Sequence, residues 1–143
     1  MARDRGDRTL YSISDVARGF GVSVPTLRYY EEQGLIEPTA RRGRVRHYDF
    51  DELCSLAYAL LWHRDADMTI ESTREIMNAP ASVERHRIIS EHLDDIDARI
   101  HRLDEARRTL VHLLSCSSDD PRTCSRTGAA LTRTVRESMG TEG

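Results

Sequence analysis

Two cysteines and a histidine near the carboxyl end of the chain are the residues whose types and spacing point most directly to metal chemistry. Cys116 and Cys124 flank a polar segment with the composition of a loop, and His112 lies one helical turn before Cys116. Two thiolates that converge from the ends of a short loop suit a soft ion such as Cu(I), which accepts two sulfur ligands in a linear arrangement. A nitrogen ligand from His112 would instead suit Zn(II). The sequence therefore indicates Cu(I) or Zn(II) as the cofactor to test at these positions.

Two other interpretations of this cysteine pair stay open. The thiols of Cys116 and Cys124 could form a reversible disulfide switch, or both could be free thiols without a sensory role. The chain has three cysteines, and this odd number argues against a disulfide framework. The third, Cys54, is expected to be a packed core thiol because we place it on the apolar side of a predicted helix.

A strip of arginines is the second group of residues with evident chemistry. Between Pro38 and Tyr48 the chain carries no acidic residue and four basic ones: Arg41, Arg42, Arg44 and Arg46. The formal net charge of the whole chain is -3. A local basic strip is still enough to bind phosphate, because the Debye length is only about 8–10 Å in physiological salt. Taken alone, the strip is explained equally well as a solvated charged loop.

Two short helices joined by a tight turn are predicted just before this strip. The first covers residues 14–20 with Ser14 as its N-cap, and the second covers about residues 24–33 with Ser23 as its N-cap. Side chains at the exposed start of the second helix can reach a DNA groove and its phosphates. The polar or amphipathic residues there are Thr26, Arg28 and Tyr29.

The spacing of Ala17, Gly21 and Leu27 is that of a helix-turn-helix. A small residue lets two helices cross closely, a glycine permits a left-handed turn, and an aliphatic residue fixes the second helix against the first. Any helical hairpin in a small α protein could show the same three residues. The neighbouring arginine strip shifts the balance toward DNA binding.

A hairpin and further helices complete the predicted domain. Residues 41–49, with Gly43 between arginines, favour a small hairpin or wing. Helix resumes near Asp49, breaks at residues 65–67 and resumes over residues 70–77. A helix-turn-helix can enter the major groove while a basic wing contacts the flanking phosphate backbone. The two elements together therefore predict a DNA-binding surface.

The longest helical signal runs from about residue 82 to residue 115 and contains no Gly or Pro. Such a helix is about 50 Å long, which is too long for the small preceding domain to cover. The sequence therefore predicts a homodimer in which an apolar heptad stripe packs against its copy. The stripe consists of Ile89, Leu93, Ile96, Ile100, Leu103, Leu110 and Leu114.

The whole chain is predicted to be mainly α, a winged helix-turn-helix followed by a long dimerisation helix. Its 143 residues are 38% hydrophobic and 31% charged, which leaves room for one small domain and an extended element. The predicted divisions are a flexible tail at 1–10, the winged helix-turn-helix at 11–80, the coiled-coil helix at 81–115, and an effector-type loop with a C-terminal tail at 116–143.

Other classes of protein are disfavoured by what the sequence lacks. There is no apolar run of membrane-spanning length and no signal-peptide pattern, so we expect a cytoplasmic protein without a membrane partner. There is no Ser/His/Asp ordering, no phosphate-cradling glycine loop and no pair of carboxylates in an apolar setting, so we do not expect an enzyme. The alternative function is a metal-binding or thiol-redox helical protein that does not bind DNA.

Several short motifs together are specific enough to indicate a family. They are Tyr11-Ser-Ile-Ser-Asp-Val-Ala, Gly21-Val22-Ser23, Thr26-Leu27-Arg28-Tyr29-Tyr30-Glu31, Gly34-Leu35-Ile36 with Pro38, and Arg46-His47-Tyr48. In order and spacing they resemble the N-terminal signature and wing of the MerR family of transcription regulators. The similarity extends over roughly residues 11–115.

The resemblance implies a homodimer that binds a pseudo-palindromic operator inside a promoter whose spacer is too long. Members of the family bend and untwist this DNA so that RNA polymerase reads both promoter elements, usually when an effector binds near the end of the dimerisation helix. Tyr30 is expected in the core. The residues expected to contact DNA are Ser14, Thr26, Arg28, Tyr29, Arg41, Arg42, Arg44, Arg46 and Tyr48.

The chain departs from the family pattern at two positions. Asp67 stands where a turn glycine is usual, and Thr73 stands where an isoleucine is usual. Asp tolerates a left-handed backbone, so we expect the turn to survive and the packing around it to be less firm. Metal-sensing members hold their ligands on the loop matching Cys116 and Cys124. Divalent sensors add a cysteine at the start of the partner's long helix, and residues 80–83 contain none, which disfavours a thiolate-rich divalent site.

Overall fold

The computed structural model describes residues 9–140 and shows a mainly helical chain with one small antiparallel sheet. The predicted fold class is therefore confirmed. Most of the predicted tail at 1–10 lies outside the described residues. Two compact units are present: the first ends at His92, and the second begins at Leu93, within a long helix.

The first helix, α1, spans Ile13–Phe20 and begins one residue earlier than the sequence predicted. Its N-cap is Ser12, whose Oγ accepts a hydrogen bond from the backbone N–H of Asp15 at 3.2 Å. The prediction of Ser14 as N-cap is wrong, because the Ser12 side chain already satisfies a free N–H of the first turn. Ser14 lies exposed within that turn.

The turn after α1 leads directly into α2, Val24–Glu32. Gly21 has a φ of +65°, a left-handed conformation that side chains with a Cβ rarely adopt. Ser23 caps α2 as predicted, with its Oγ accepting from the N–H of Thr26 at 3.1 Å. Leu27 and Tyr30 project from α2 into the core and are 0% and 1% exposed, so the predicted helix-turn-helix packing is confirmed.

The predicted hairpin is part of a three-stranded antiparallel sheet. Its strands are β1 (Tyr11–Ser12), β2 (Ala40–Arg42) and β3 (Val45–Tyr48), in the order β1-β3-β2. Arg41 pairs with Arg46, and Arg42 pairs with Val45, across the β2–β3 hairpin.

Two more helices complete the first unit. Helix α3 spans Phe50–Leu60, with Asp49 as its N-cap, and continues into a π-helical turn at Leu61–Asp65. Asp67 then adopts a φ of +56°, as the sequence predicted for a left-handed turn, and α4 covers Ile70–Met77. The core contains Ile13, Val16, Ala17, Leu27, Tyr30, Leu35, Ile36, Tyr48, Leu56, Ala59, Leu60 and Ile70.

Cys54 lies outside the core of this unit, whereas Thr73 is buried in it. Cys54 is exposed on α3, so the prediction of a packed core thiol is wrong. It lies two positions before Leu56, about 160° away around the helix at 3.6 residues per turn, whereas Leu56 points into the core. Thr73 on α4 is 0% exposed, and its hydroxyl has no hydrogen-bond partner among residues 9–140.

The remaining elements are a long helix and a shorter one. Helix α5 spans Ser82–Ser115, the bounds that the sequence predicted. A single 3-10 turn at Pro121–Thr123 precedes α6, Ser125–Met139, in the segment that the sequence predicted to be a loop and tail. Within residues 9–140, no helix has both the length and the apolar character needed to cross a membrane.

Candidate DNA-binding surface and thiol–imidazole cluster

The exposed side of α2 carries three of the predicted DNA contacts. Arg28 and Tyr29 are exposed, and Thr26 is half-buried, with its Oγ1 at 2.8 Å from the Oγ of Ser23. The first turn of α2 has no acidic residue. A helix start of this kind presents free N–H groups and positive potential to a phosphate.

The wing presents its arginines in two different ways. Arg41, Arg42 and Arg44 are exposed at the hairpin. Arg46 is partly covered, since 25% of its side chain is exposed and its Nε lies 2.7 Å from Oε2 of Glu31. Glu31 belongs to α2, so this ion pair ties the wing to the helix that carries Arg28. This pairing has no local sequence signal, because the two residues are fifteen positions apart.

Tyr48 does not lie on this surface. Its side chain is 2% exposed, and its hydroxyl has no hydrogen-bond partner in the described part of the chain. Burial raises the pKa of Tyr48, and the nearby Glu31 carboxylate raises it further. The prediction of Tyr48 as a DNA contact is therefore wrong, because its position on β3 turns the ring into the core.

Tyr30 lies in the core, as expected. Its hydroxyl forms a hydrogen bond with Nδ1 of His63 in the π-helical turn. Burial raises the pKa of Tyr30. This contact fixes the inner face of α2 and leaves Arg28 and Tyr29 on the outer face.

The predicted metal ligands come together in the second unit. His112 lies in the last turn of α5, Cys116 follows the end of that helix, and Cys124 is the N-cap of α6. Their ligand atoms all lie within 4.8 Å of one another, and each residue is half-buried. The Cys124 Sγ is 3.7 Å from Nε2 of His112. We refer to these three residues as the thiol–imidazole cluster.

Cys124 has the environment of a thiolate. Hydrogen bonding to the backbone N–H of Thr127, to the His112 and Cys116 side chains and to the N–H of Arg126 lowers its pKa from 9.0 to about 6. The two N–H groups belong to the first turn of α6, where a helix end favours negative charge. The thiolate is the form of cysteine that binds metal ions and reacts with disulfides.

The turn before α6 holds Cys124 in place. The N–H of Arg122 donates to Oδ1 of Asp120 at 3.0 Å, and the N–H of Gly128 donates to the carbonyl of Cys124 at 2.7 Å. A Cβ at Gly128 would lie 2.8 Å from the Arg122 carbonyl oxygen, which is closer than such atoms approach. Gly128 therefore permits the close turn that brings Cys124 toward Cys116. No local sequence pattern marks this glycine as part of the cluster.

The predicted dimer stripe is largely uncovered within a single chain. The side chains exposed by between 53% and 89% are Leu93, Ile100, Leu103, Leu110 and Leu114. Ile96 is half-buried. Ile89 differs, because it packs in part against the buried cluster of Met68, Ile76 and Ile88.

Two family profiles match the chain. The profile described as MerR HTH family regulatory protein covers residues 11–80, and the profile described as MerR, DNA binding covers residues 63–113. A ZntR homolog from Haemophilus influenzae, an HTH-type transcriptional regulator, is 31% identical over 107 residues, which are 71% of this chain and 78% of the relative. The chain belongs to the MerR family.

Further comparisons agree with this assignment to the MerR family. The HTH-type transcriptional regulator CueR from Escherichia coli is 31% identical over 120 residues, which are 79% of this chain and 88% of the relative. The solved structure of the transcription regulator PbrR691 from Ralstonia metallidurans, in complex with lead(II), has a TM-score of 0.62 and 26% identity and covers 82% of this chain and 97% of that one. This MerR protein is a DNA-binding transcription regulator, and its family is one of regulators rather than enzymes.

Proposed function

We propose that this protein acts in the cytoplasm as a homodimer on a pseudo-palindromic promoter site. Helix α2 would enter the major groove, the wing would lie against the flanking backbone, and the bent DNA would become readable by RNA polymerase. A thiophilic ion at Cys116 and Cys124 would be the effector. The proposed functional division remains a DNA-binding part at 11–80, a dimerisation helix at 81–115 and an effector part at 116–143.

The observation that carries the DNA-binding proposal is the coupling of the wing to α2 through Arg46 and Glu31. Arg28 lies three positions before Glu31 on α2 and therefore points to a neighbouring part of the same helix face. Exposed arginines suit phosphate oxygens because the guanidinium group donates several hydrogen bonds in a fixed plane. The proposed contacts are Ser14, Thr26, Arg28, Tyr29, Arg41, Arg42 and Arg44, with Arg46 as the link between wing and helix.

The exposed stripe of α5 supports the homodimer. Burying one leucine-sized side chain contributes about 1.5–3 kcal/mol, and five such side chains of each chain are exposed along this helix. An antiparallel copy of the same helix would cover them and hold two α2 helices at a fixed separation. Sedimentation of the intact protein as a dimer at micromolar concentration is the expected result.

The donor set of the cluster supports a thiophilic effector. Sulfur ligands select soft or borderline ions, and a neutral imidazole suits ions such as Zn(II) and copper. A bound ion supplies positive charge that neutralises the two thiolates. Cys116 and Cys124 would then tie the end of α5 to the start of α6, where they already lie close together. A disulfide between the same sulfurs is the competing effector state, and the cytoplasm keeps most thiols reduced.

Transcription in vitro from a promoter fragment selected by the intact protein tests this function. We expect the reduced wild-type protein to change transcript yield when Cu(I) or Zn(II) is added and the Cys116→Ser, Cys124→Ser double variant to bind the promoter without responding. Native mass spectrometry of the same samples reports dimer mass and metal count. If the response needs an oxidant instead of a metal, and the mass shows that each chain has lost two hydrogens, the effector state is a disulfide and not a bound metal ion. Equal responses from wild type and double variant would contradict both.

A further inference from the structure

We propose that His112 is a third ligand of the effector site and that the site takes a divalent Zn(II)-class ion in preference to two-coordinate Cu(I). The two sulfurs and the nitrogen would all come from one protomer. This inference rests on the proposed function, because it names the ion class at the same cluster.

The distance between His112 and Cys124 fits a shared divalent ion. The His112 Nε2 lies 3.7 Å from the Cys124 Sγ. In tetrahedral zinc sites the Zn–S distance is about 2.3 Å and the Zn–N distance about 2.0–2.1 Å, so the nitrogen and the sulfur are about 3.6 Å apart. The two atoms therefore already have the separation of neighbouring ligands.

The register of the chain brings all three ligands together without rearrangement. His112 lies in the last turn of α5, and Cys116 follows directly after that helix ends, so both side chains leave the same end of α5. Cys124 is fixed by the first turn of α6 and by the close approach at Gly128. The resulting group of ligand atoms, all within 4.8 Å, has the dimensions of a single ion site.

The other contacts of the histidine leave it available to a metal. Cys124 is the side chain with which the His112 ring forms a hydrogen bond within residues 9–140. By comparison, His63 bonds to Tyr30 and His92 to the Ala66 carbonyl. The Nε2 of His101 lies 3.4 Å from Oε1 of Glu105. Among these histidines, His112 is the one placed against sulfur.

Charge balance favours a divalent ion. Two thiolates and a neutral imidazole around a divalent cation give a neutral group, whereas the same ligands around Cu(I) leave one negative charge in a half-buried site. Uncompensated charge becomes more costly as water is removed. Cu(I) that is bound linearly by two sulfurs needs no third ligand. A mixed nitrogen and sulfur ligand set with an open fourth position is a known zinc arrangement.

The test titrates reduced, metal-free, full-length protein with Zn(II) and with Cu(I) in competition with chelators of known affinity. The variants are His112→Ala and, as a matched control on the same helix, His101→Ala. Loss of an outer-shell partner already weakens metal binding roughly 10–100-fold, so we expect His112→Ala to weaken Zn(II) binding at least that much. Cu(I) affinity should change far less, and His101→Ala should leave both unchanged. Circular dichroism of each variant verifies that the helices remain folded.

X-ray absorption of the zinc-loaded wild type provides a second readout, with two sulfur ligands and at least one imidazole nitrogen expected. Equal Zn(II) affinity of wild type and His112→Ala, or a zinc shell without imidazole, would overturn the role of His112. If zinc binding still requires Cys116 and Cys124 in that case, the proposed effector site stands. If the double cysteine variant binds Zn(II) and Cu(I) as well as wild type, the effector site itself is wrong.

Discussion

The salt dependence of DNA binding should change by a calculable amount when Arg44 is replaced by alanine. Arg44 is exposed at the tip of the wing, and no acidic side chain pairs with it in the described part of the chain. It is therefore free to contact phosphate. Each phosphate neutralised by a protein cation adds about -0.9 to the slope of log affinity against log salt concentration.

The dimer carries every contact twice. If the four exposed arginines of each protomer all bind phosphate, the wild-type slope is about -7, and Arg44→Ala makes it shallower by about 1.8 because two contacts are lost. The affinity loss is then larger at low salt than at high salt. The four residues are Arg28, Arg41, Arg42 and Arg44.

Fluorescence anisotropy of a labelled operator duplex, titrated with protein between about 50 and 200 mM salt, measures both slopes. The matched control is Arg133→Ala, which removes the same charge from an exposed position of α6. We expect the control to keep the wild-type slope. An unchanged slope for Arg44→Ala, or an equal change in both variants, would refute phosphate contact by the wing tip.

Three further predictions concern buried or reactive groups. Thr73→Val removes a buried hydroxyl that has no partner in the described part of the chain, and leaving such a group unsatisfied costs about 1–3 kcal/mol. We therefore expect the free energy of unfolding in urea to rise by about 1 kcal/mol. A fall would contradict the packing described. Tyr48→Phe should leave operator affinity unchanged in the same anisotropy assay, because the hydroxyl is buried, and a marked loss would restore Tyr48 as a contact. Alkylation of Cys124 in reduced, metal-free protein can be followed by peptide mass mapping as a function of pH. Its rate should reach half the maximum near pH 6, since the pKa of Cys124 is lowered to about 6. A midpoint near the ordinary value of 9.0 would show that α6 does not stabilise the thiolate.

Local signals explain why most helix bounds could be predicted from the sequence. The Oγ of Ser23 caps α2 by accepting a hydrogen bond from the N–H of Thr26, three positions along the chain. Gly21 supplies the left-handed backbone conformation that the turn needs. The bounds of α5 could be predicted because its 34 residues contain no Gly or Pro. Each of these features depends on residues within a few positions of one another.

Two errors came from local signals that were misjudged. Ser12 and Asp15 have the spacing of an N-cap with an acidic partner, and this pattern marks Ser12 rather than Ser14 as the cap. Cys54 lies on the opposite side of α3 from Leu56, as an angular count along the helix would have shown. Neither error required knowledge of the tertiary structure to avoid.

Other features depend on contacts between distant residues and have no local pattern. The burial of Tyr48 and the pairing of Arg46 with Glu31 follow from the way the wing folds against α2. In the cluster, the spacing of Cys116 and Cys124 was readable, but the close turn at Gly128 was not. The structure therefore shows which of the predicted ligands meet.

Selection of operators by the intact protein from a library of random duplexes tests the central claim most directly. A homodimer with two α2 helices held apart by α5 should enrich an inverted repeat whose half-sites have one fixed separation, and Arg28→Ala should abolish the enrichment. Enrichment of a single asymmetric site, or of no sequence over the starting library, would contradict a dimeric regulator that reads DNA through α2.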